Sequence, residues 1–380
     1  MTSFTIQRVE LHHSRISPKT VWQFVRVQTT DGIIADGEAT LGGQNNQVAQ
    51  VAERFVPQLL TAPTIDEPSS FARGNPPQNI TEAAIVSAID QALWSIQAQL
   101  EGQSLAEYIG TDRETVPLYA NINRRTVSRT PEAFAQSAAD AMAAGHTAFK
   151  IAPFDEVTSD VCRQGDGVQA MHAGFARVAA VRHQVGPDAR LMIDCHWRFD
   201  TDTAVHMIET AAEHGVHWVE TPLIETEDHI PALKKLRSRC HSLDMVLAGL
   251  ETSVRWEGFR PFCEGGAYDV IMPDIKYVGG IHEFQSIAAR CEQLGLLVSP
   301  HNPSGPICHA ASLQLSATLP GFDRLECQFD ESPMFDALVT ASFPKVRNGA
   351  TSIPRGIGFG TTLDAKQLKT SADSPIRSWS

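Results

Sequence analysis

A barrel of parallel strands wrapped by helices, carrying a smaller α+β cap, is the α/β fold this sequence predicts. Three observations predict it. From about residue 117, short apolar runs without polar alternation are separated by helical stretches, and such runs mark strands buried on both faces of a parallel sheet. The ends of six runs, at 194, 220, 251, 274, 301 and 326, stand 23 to 31 residues apart, so each interval holds one strand and one helix. All six ends are ionisable, and in a (β/α)8-type barrel the carboxyl ends of the strands converge on one face.

The elements follow in order. Alternating stretches at 4–11 and 21–29, a turn at Asp31-Gly32 and a third strand at 37–40 make an antiparallel start. Over 79–100, Ile85, Ile89, Leu93, Ile96 and Leu100 recur at spacings of three and four, a core-facing helical stripe, and Asn79 with Glu82 has the form of a capping box. A strand at 118–123 begins the barrel. Thr130-Pro131-Glu132 opens a helix that Gly145 closes ahead of a strand at 147–150. Strands at 191–194, 217–220, 246–251, 269–274, 297–301 and 324–326 complete eight. The longer interval from Lys150 to Asp194 contains a polar insertion at 155–167. The tail, strand-like at 350–353 and glycine-rich at 355–360, is expected to return to the N-terminal part. The domains expected are therefore a cap at 1–117, a catalytic barrel at 118–340 and a returning segment at 341–380.

Composition narrows the function. With 380 residues, 42% of them hydrophobic, the chain can bury a sizeable core, which excludes disorder. Thirty-one Lys and Arg against 44 Asp and Glu give a net charge of −13, and no basic tract interrupts it, which argues against nucleic acid and anionic membrane as partners. Seven scattered cysteines without C-x-x-C fit neither a disulfide framework nor a zinc ribbon, so a reducing cytoplasm is expected. No apolar run approaches the length of a membrane span. Gly356-Ile-Gly-Phe-Gly360 lacks the G-x-G-x-x-G spacing of a dinucleotide site.

The strand ends carry the chemistry. Asp194, Glu220 and Glu251, from three consecutive strands, set three carboxylates side by side, which is costly unless a cation sits between them. Oxygen ligands alone point to Mg2+, with Mn2+ as the alternative. Asp274 and His301 end adjacent strands, the arrangement of a general base and the group that orients it. His196 lies two residues past Asp194 and reaches the same side if that strand continues. Lys150 is placed to neutralise a substrate carboxylate or to act as a base. Cys195 is expected to point away and pack.

Together these residues resemble the enolase superfamily, in particular its mandelate racemase-like subgroup of acid-sugar dehydratases, of the galactonate dehydratase kind. The resemblance runs through nearly the whole chain: Ser87-Ala-Ile-Asp-Gln-Ala-Leu-Trp94, Ile193-Asp194, Val219-Glu220, Ala248-Gly-Leu-Glu251, Pro273-Asp274, Gly279-Gly280, Pro300-His301 and Glu326. It implies a modified (β/α)7β TIM barrel under the cap, Mg2+ on Asp194, Glu220 and Glu251, and abstraction of the proton α to a carboxylate. Where the racemases carry Lys-x-Lys, this chain has Lys150-Ile151-Ala152, which counts against a two-base racemase. Asp194-Cys-His196 is similar to the Asp-x-His of the dehydratases, and one base with one acid suits elimination of water. The implied roles are His301 as base with Asp274, His196 as acid, Lys150 on the substrate carboxylate and Glu326 bonded to the intermediate. The histidine roles are open to exchange.

An epimerase or cycloisomerase on the same scaffold is the alternative, and a non-catalytic sugar-acid binder the reading from another class. The resemblance also implies a homo-oligomer and a small sugar acid of five or six carbons, aldonates ahead of aldarates. Loops at 14–20 and 39–46 and the insertion at 155–167 are expected to set substrate identity, and Arg198 and Lys276 are candidates for holding a second anionic end.

Overall fold

Alternation at the start of the chain folds as expected into antiparallel strands: β1 (Ile6–Arg15), β2 (Val21–Thr29) and β3 (Ile34–Glu38) pair in sequence order. The computed structural model describes residues 2–17, 20–62, 64–111, 113–370 and 376–380, so positions 18 and 19 of the first specificity loop lie outside the described residues. The third strand starts earlier than the sequence suggests because the Asp31-Gly32 turn is tight: Thr29 N donates to Ile33 O and the ladder resumes at Ile34. Helices α1 (Asn45–Leu60), α2 (Ser70–Gly74), α3 (Ile80–Leu100) and α4 (Leu105–Ile109) complete the cap.

Helix α3 ties the cap to the barrel. Asn79 caps it by accepting from Glu82 N, while Glu82 reaches back to Gln78 N rather than to Asn79. Ile85, Ile89, Leu93 and Ile96 are fully buried with β1 and β2 side chains, each stabilising the fold by roughly 1.5–3 kcal/mol. The other face of α3 is polar and also buried. There Ser87 Oγ accepts from Gly279 N and Asp90 Oδ2 from Ile281 N. Gly280 sits at φ 123° with no room for a Cβ, which would lie 2.8 Å from the Asp90 carboxylate.

The eight barrel strands are β4 (Thr115–Asn121), β5 (Ala148–Ile151), β6 (Arg190–Asp194), β7 (Val216–Glu220), β8 (Val246–Gly249), β9 (Val270–Ile271), β10 (Leu297–Val298) and β11 (Leu325–Gln328). Seven intervals between them carry the larger barrel helices α5 (Pro131–Ala143), α6 (Gly167–Val185), α7 (Thr201–Glu213), α8 (Ile230–His241), α9 (Arg255–Gly265), α10 (Ile281–Gln293) and α11 (Pro306–Ser316). Parallel pairing runs from β4 to β10 in chain order, and β11 pairs with β4. Backbone bonds from Val298 N to Gly321 O and from Glu326 N to Pro300 O close the remaining gap between β10 and β11. This is the modified (β/α)7β barrel.

Strands β9 and β10 are shorter than expected because Pro273 and Pro300 have no N–H to give the ladder. Asp274 and His301 therefore leave the sheet on short extended segments, still linked by His301 N to Pro273 O. Inside the barrel, Tyr119, Ala148, Met192, Trp218, Ala248, Val270 and Met272 form one buried layer. Two residues further along β5, β6 and β7 the same inward face carries Lys150, Asp194 and Glu220, because side chains alternate along a strand. Apolar packing thus makes the floor and ionisable groups the next layer up.

The C-terminal segment first stays with the barrel: β12 (Ala350–Ser352) pairs antiparallel with β4, not with the cap sheet. It then crosses over, with Leu105 N bonded to Gly358 O and Arg26 to Leu363 O. It ends as β13 (Arg377–Trp379) beside β1. Among the described residues no helix is long and apolar enough to cross a membrane. All seven cysteines are free, and Cys195 packs in the main core.

Candidate active site

Asp194 and Glu220 are register partners on β6 and β7, and Glu251 follows β8 by two residues. One ligand oxygen from each lies within 4.8 Å of the others, and all three side chains are buried. Burial raises the carboxyl of Glu220 to about 7 and that of Glu251 well above the ordinary range, the neighbouring carboxylates adding to both. Burial acts the same way on Asp194 but is outweighed by His196 and Lys150, and its pKa stays below the ordinary range. A buried cluster of oxygen donors that repel one another fits a hard divalent cation.

Unusual backbone aims these groups. His196 (φ 47°), Trp197 (φ 57°), Thr221 (φ 42°) and Leu250 (φ 75°) all occupy the left-handed region, disfavoured for side chains with a Cβ. Each follows the end of one of the three ligand strands. His196 thus arrives by a reversal rather than by continuation of β6, and its Nε2 lies 2.8 Å from Asp194 Oδ2. Its backbone N and the hydroxyl of Thr221 donate to the other Asp194 oxygen. Glu225, which the sequence reading missed, lies in the loop after β7 and ties it to the turns after β6 and β8. It accepts from Leu250 N, Trp197 Nε1 and the Tyr268 hydroxyl. Gly249 is required beside it, since a Cβ would stand 2.5 Å from its carboxylate.

Lys150 is 1% exposed and lies 2.6 Å from Glu220 and 2.9 Å from Glu326. Burial opposes its charge, but the two carboxylates more than offset that and keep it an ammonium. As an ammonium it suits the first of its two expected roles, at a substrate carboxylate. Glu326 accepts from Lys150, Asn121 Nδ2 and Asn302 N. Burial raises its pKa, but the charges of Lys150 and His301 with the bonds from Asn302 and Lys150 outweigh it and hold the carboxyl below its ordinary range. It acts as an acceptor in this arrangement.

His301 Nδ1 is 2.8 Å from Asp274 Oδ2, and its Nε2 is 3.5 Å from Glu251 Oε2. Asp274 is fully buried yet stays ionised, because Lys276 and His301 outweigh the burial. Lys150, Asp194, His196, Glu251, His301 and Glu326 line one cavity of about 290 Å³. Leu41 and Ile80 also line it, so residues of the cap share its wall with the barrel.

Three expectations about substrate selection need correction. The insertion at 155–167 contributes nothing to the cavity wall; Asp155 pairs with Arg129 and Glu156 with Arg177. Arg198 donates to the carbonyls of Asp155 and Val157, and so braces that insertion. Lys276 is buried behind Asp274, bonded to it and to Ser304. In their place the cavity wall holds Asn121, Asn123 and Arg124, at and just beyond the end of β4.

Fold and site together define a class: a (β/α)7β barrel under a cap, with a buried carboxylate cluster that could hold a metal ion beside two histidines in one cavity. Residues 133–367 match the family described as enolase C-terminal domain-like, and residues 5–110 match the mandelate racemase/muconate lactonizing enzyme N-terminal domain. The chain therefore belongs to the mandelate racemase/muconate lactonizing enzyme family of the enolase superfamily. Among its relatives, a D-gluconate dehydratase of Thermoproteus tenax is 29% identical over 91% of this chain and 68% of its own. A D-galactonate dehydratase of Ralstonia pickettii is 27% identical over 79% and 76%, and a D-galactarolactone cycloisomerase of Agrobacterium fabrum 29% over 74% and 72%. The fold is shared with an enolase superfamily member from Salmonella Typhimurium at TM-score 0.83, with 22% identity over 100% of this chain and 99% of that one.

Proposed function

We propose that this protein is a Mg2+-dependent sugar-acid dehydratase, which removes the proton α to the substrate carboxylate and expels the β-hydroxyl as water to leave a 2-keto-3-deoxy acid. The observation that supports it most is the convergence of two differently partnered histidines on one cavity, beside three clustered carboxylates and a buried ammonium. Bound by Asp194, Glu220 and Glu251, Mg2+ or Mn2+ would supply positive charge to the substrate carboxylate as the α-carbon loses its proton.

The protein's own groups do the rest. Asp274 accepts from Nδ1 of His301, which leaves Nε2 as the base that takes the α-proton. Lys150 presents its ammonium to the substrate carboxylate, and Glu326 holds that ammonium in place. His196 carries the proton for the departing hydroxyl, its charge favoured by Asp194. Such acid–base pairs contribute on the order of 10²–10⁴-fold in rate. Ala152 lines the cavity where a second lysine would serve a two-base racemase, so elimination with one base and one acid is the better fit. In this reading residues 1–117 cap the barrel of 118–340, and the segment 341–380 joins the cap only after β12 has paired with β4.

The test is a library of acid sugars with Mg2+, scored for a 2-keto-3-deoxy product and separately for deuterium uptake. Loss of water from one of them supports the dehydratase. Exchange or isomerisation with no loss of mass supports instead the cycloisomerase or epimerase reading, which the Agrobacterium fabrum relative favours.

A further inference from the structure

The dyad and the carboxylate cluster account for one end of a substrate and leave the other end unread. The loop after β4 faces it. Asn121 at the end of β4 is the register partner of Lys150 on β5, and Arg124, three residues further along the chain and across the ring from β8, lines the same cavity as Lys150 and Glu251.

The two cations on this wall are held very differently. Lys150 is locked between Glu220 and Glu326 and is almost fully buried. The Arg124 side chain is 40% exposed, and its only bond among the described residues is a long one, 3.4 Å from Nη1 to Glu331 Oε2. That contact engages one of the five N–H donors of a guanidinium. Glu331 is itself steadied from the cap, its other oxygen accepting from Thr20 Oγ1 at 2.7 Å. Arg124 is thus positioned at the cavity with most of its donors open. A planar fork of donors is suited to bidentate recognition of a carboxylate.

Resting on the dehydratase reading, we propose that Arg124 receives a second carboxylate at the far end of the substrate, so that this protein acts on sugar diacids, aldarates, in preference to aldonates. Asn121 and Asn123, at and just beyond the end of β4, line the same wall; Asn121 Nδ2 donates to Glu326 and Asn123 Oδ1 accepts from Arg129, so the charged donor left open there is Arg124. A preference for diacids reverses the order in which aldonates precede aldarates.

The test compares six-carbon aldonates with the aldarates that differ from them only at carbon 6, D-gluconate with D-glucarate and D-galactonate with galactarate among them, all with Mg2+. The expected result is a kcat/KM at least tenfold higher for the diacid of the preferred configuration. In Arg124→Met the diacid-to-monoacid ratio falls at least tenfold, and Arg124→Lys restores part of it, since charge returns without the fork. Retained thermal unfolding of both variants shows that the exposed site has not cost the fold. Equal or better turnover of the monoacid, or a ratio unchanged in Arg124→Met, overturns the role of Arg124 and leaves the dehydratase standing. Dehydration and exchange absent for every acid overturn both.

Discussion

The Nζ of Lys276 lies 2.7 Å from Oδ2 of Asp274, the same oxygen that stands 2.8 Å from Nδ1 of His301. One carboxylate oxygen thus joins a buried ammonium to the imidazole. The ammonium also bonds Ser304 and faces Glu38 of the cap, whose carboxylate accepts from Gly305 N and Cys308 N at the start of α11. Cap docking and base orientation therefore share one buried network.

Removing one charge from that network is costly. Lys276→Met leaves Asp274 buried without its ammonium, and the expected loss of stability is about 3–5 kcal/mol, read by denaturant unfolding. Lys276→Met with Asp274→Asn removes both charges and recovers a large part of that loss. A double variant as unstable as the single one would show that the pair is not coupled.

Stability also depends on pH through two buried histidines outside the site. Burial pushes His146 and His309 down to about 4, and Asn302 Nδ2 donates to His309 Nδ1, which keeps that nitrogen unprotonated. Their folded pKa values lie below the unfolded value near 6.5, so the neutral forms stabilise the fold above pH 6.5. That stability is lost as pH falls from 6.5 toward 4, and at pH 5 the loss is on the order of 2 kcal/mol for each. Denaturant unfolding at pH 7.5 and pH 5 checks this. The double variant His146→Gln, His309→Gln is expected to lose less between the two pH values than the wild type, and an unchanged difference rejects the assignment.

The carboxylate cluster makes a prediction that needs no substrate. A cation that binds the folded cluster and not the unfolded chain stabilises the fold as its concentration rises, by about 2.7 kcal/mol at a hundredfold excess over Kd, and the unfolding temperature rises with it. Mg2+ is expected to raise it in the wild type and EDTA to reverse the effect. Glu251→Gln, which removes one ligand charge and some of the repulsion, is expected to unfold higher than the wild type in EDTA and to respond weakly to Mg2+. An equal response in both places the cation elsewhere.

Much of this was legible in the sequence because it follows from periodicity. Lys150, Asp194 and Glu220 lie on the inward face of their strands, and spacing alone gives the order in which strands bring them together. What lay beyond the strand ends was not legible. Whether Lys276 turns into the cavity or back toward Ser304 depends on a loop shaped by Pro273 and by Glu38 from a distant part of the chain. Arg198 is drawn to carbonyls that only the folded insertion presents. Glu225 gave no signal, since its partners Trp197, Leu250 and Tyr268 are scattered through the sequence. Arg124 stands one residue past a predicted strand end, but the strand at 118–123 itself ends in no ionisable residue, so the strand-end pattern does not single Arg124 out.

The central claim is that His301 takes the α-proton. With the acid sugar that the wild type dehydrates, His301→Asn in D2O with Mg2+ is expected to show no exchange of the α-proton above background, while Mg2+ still raises its unfolding temperature. Exchange at the wild-type rate in that variant would contradict the account.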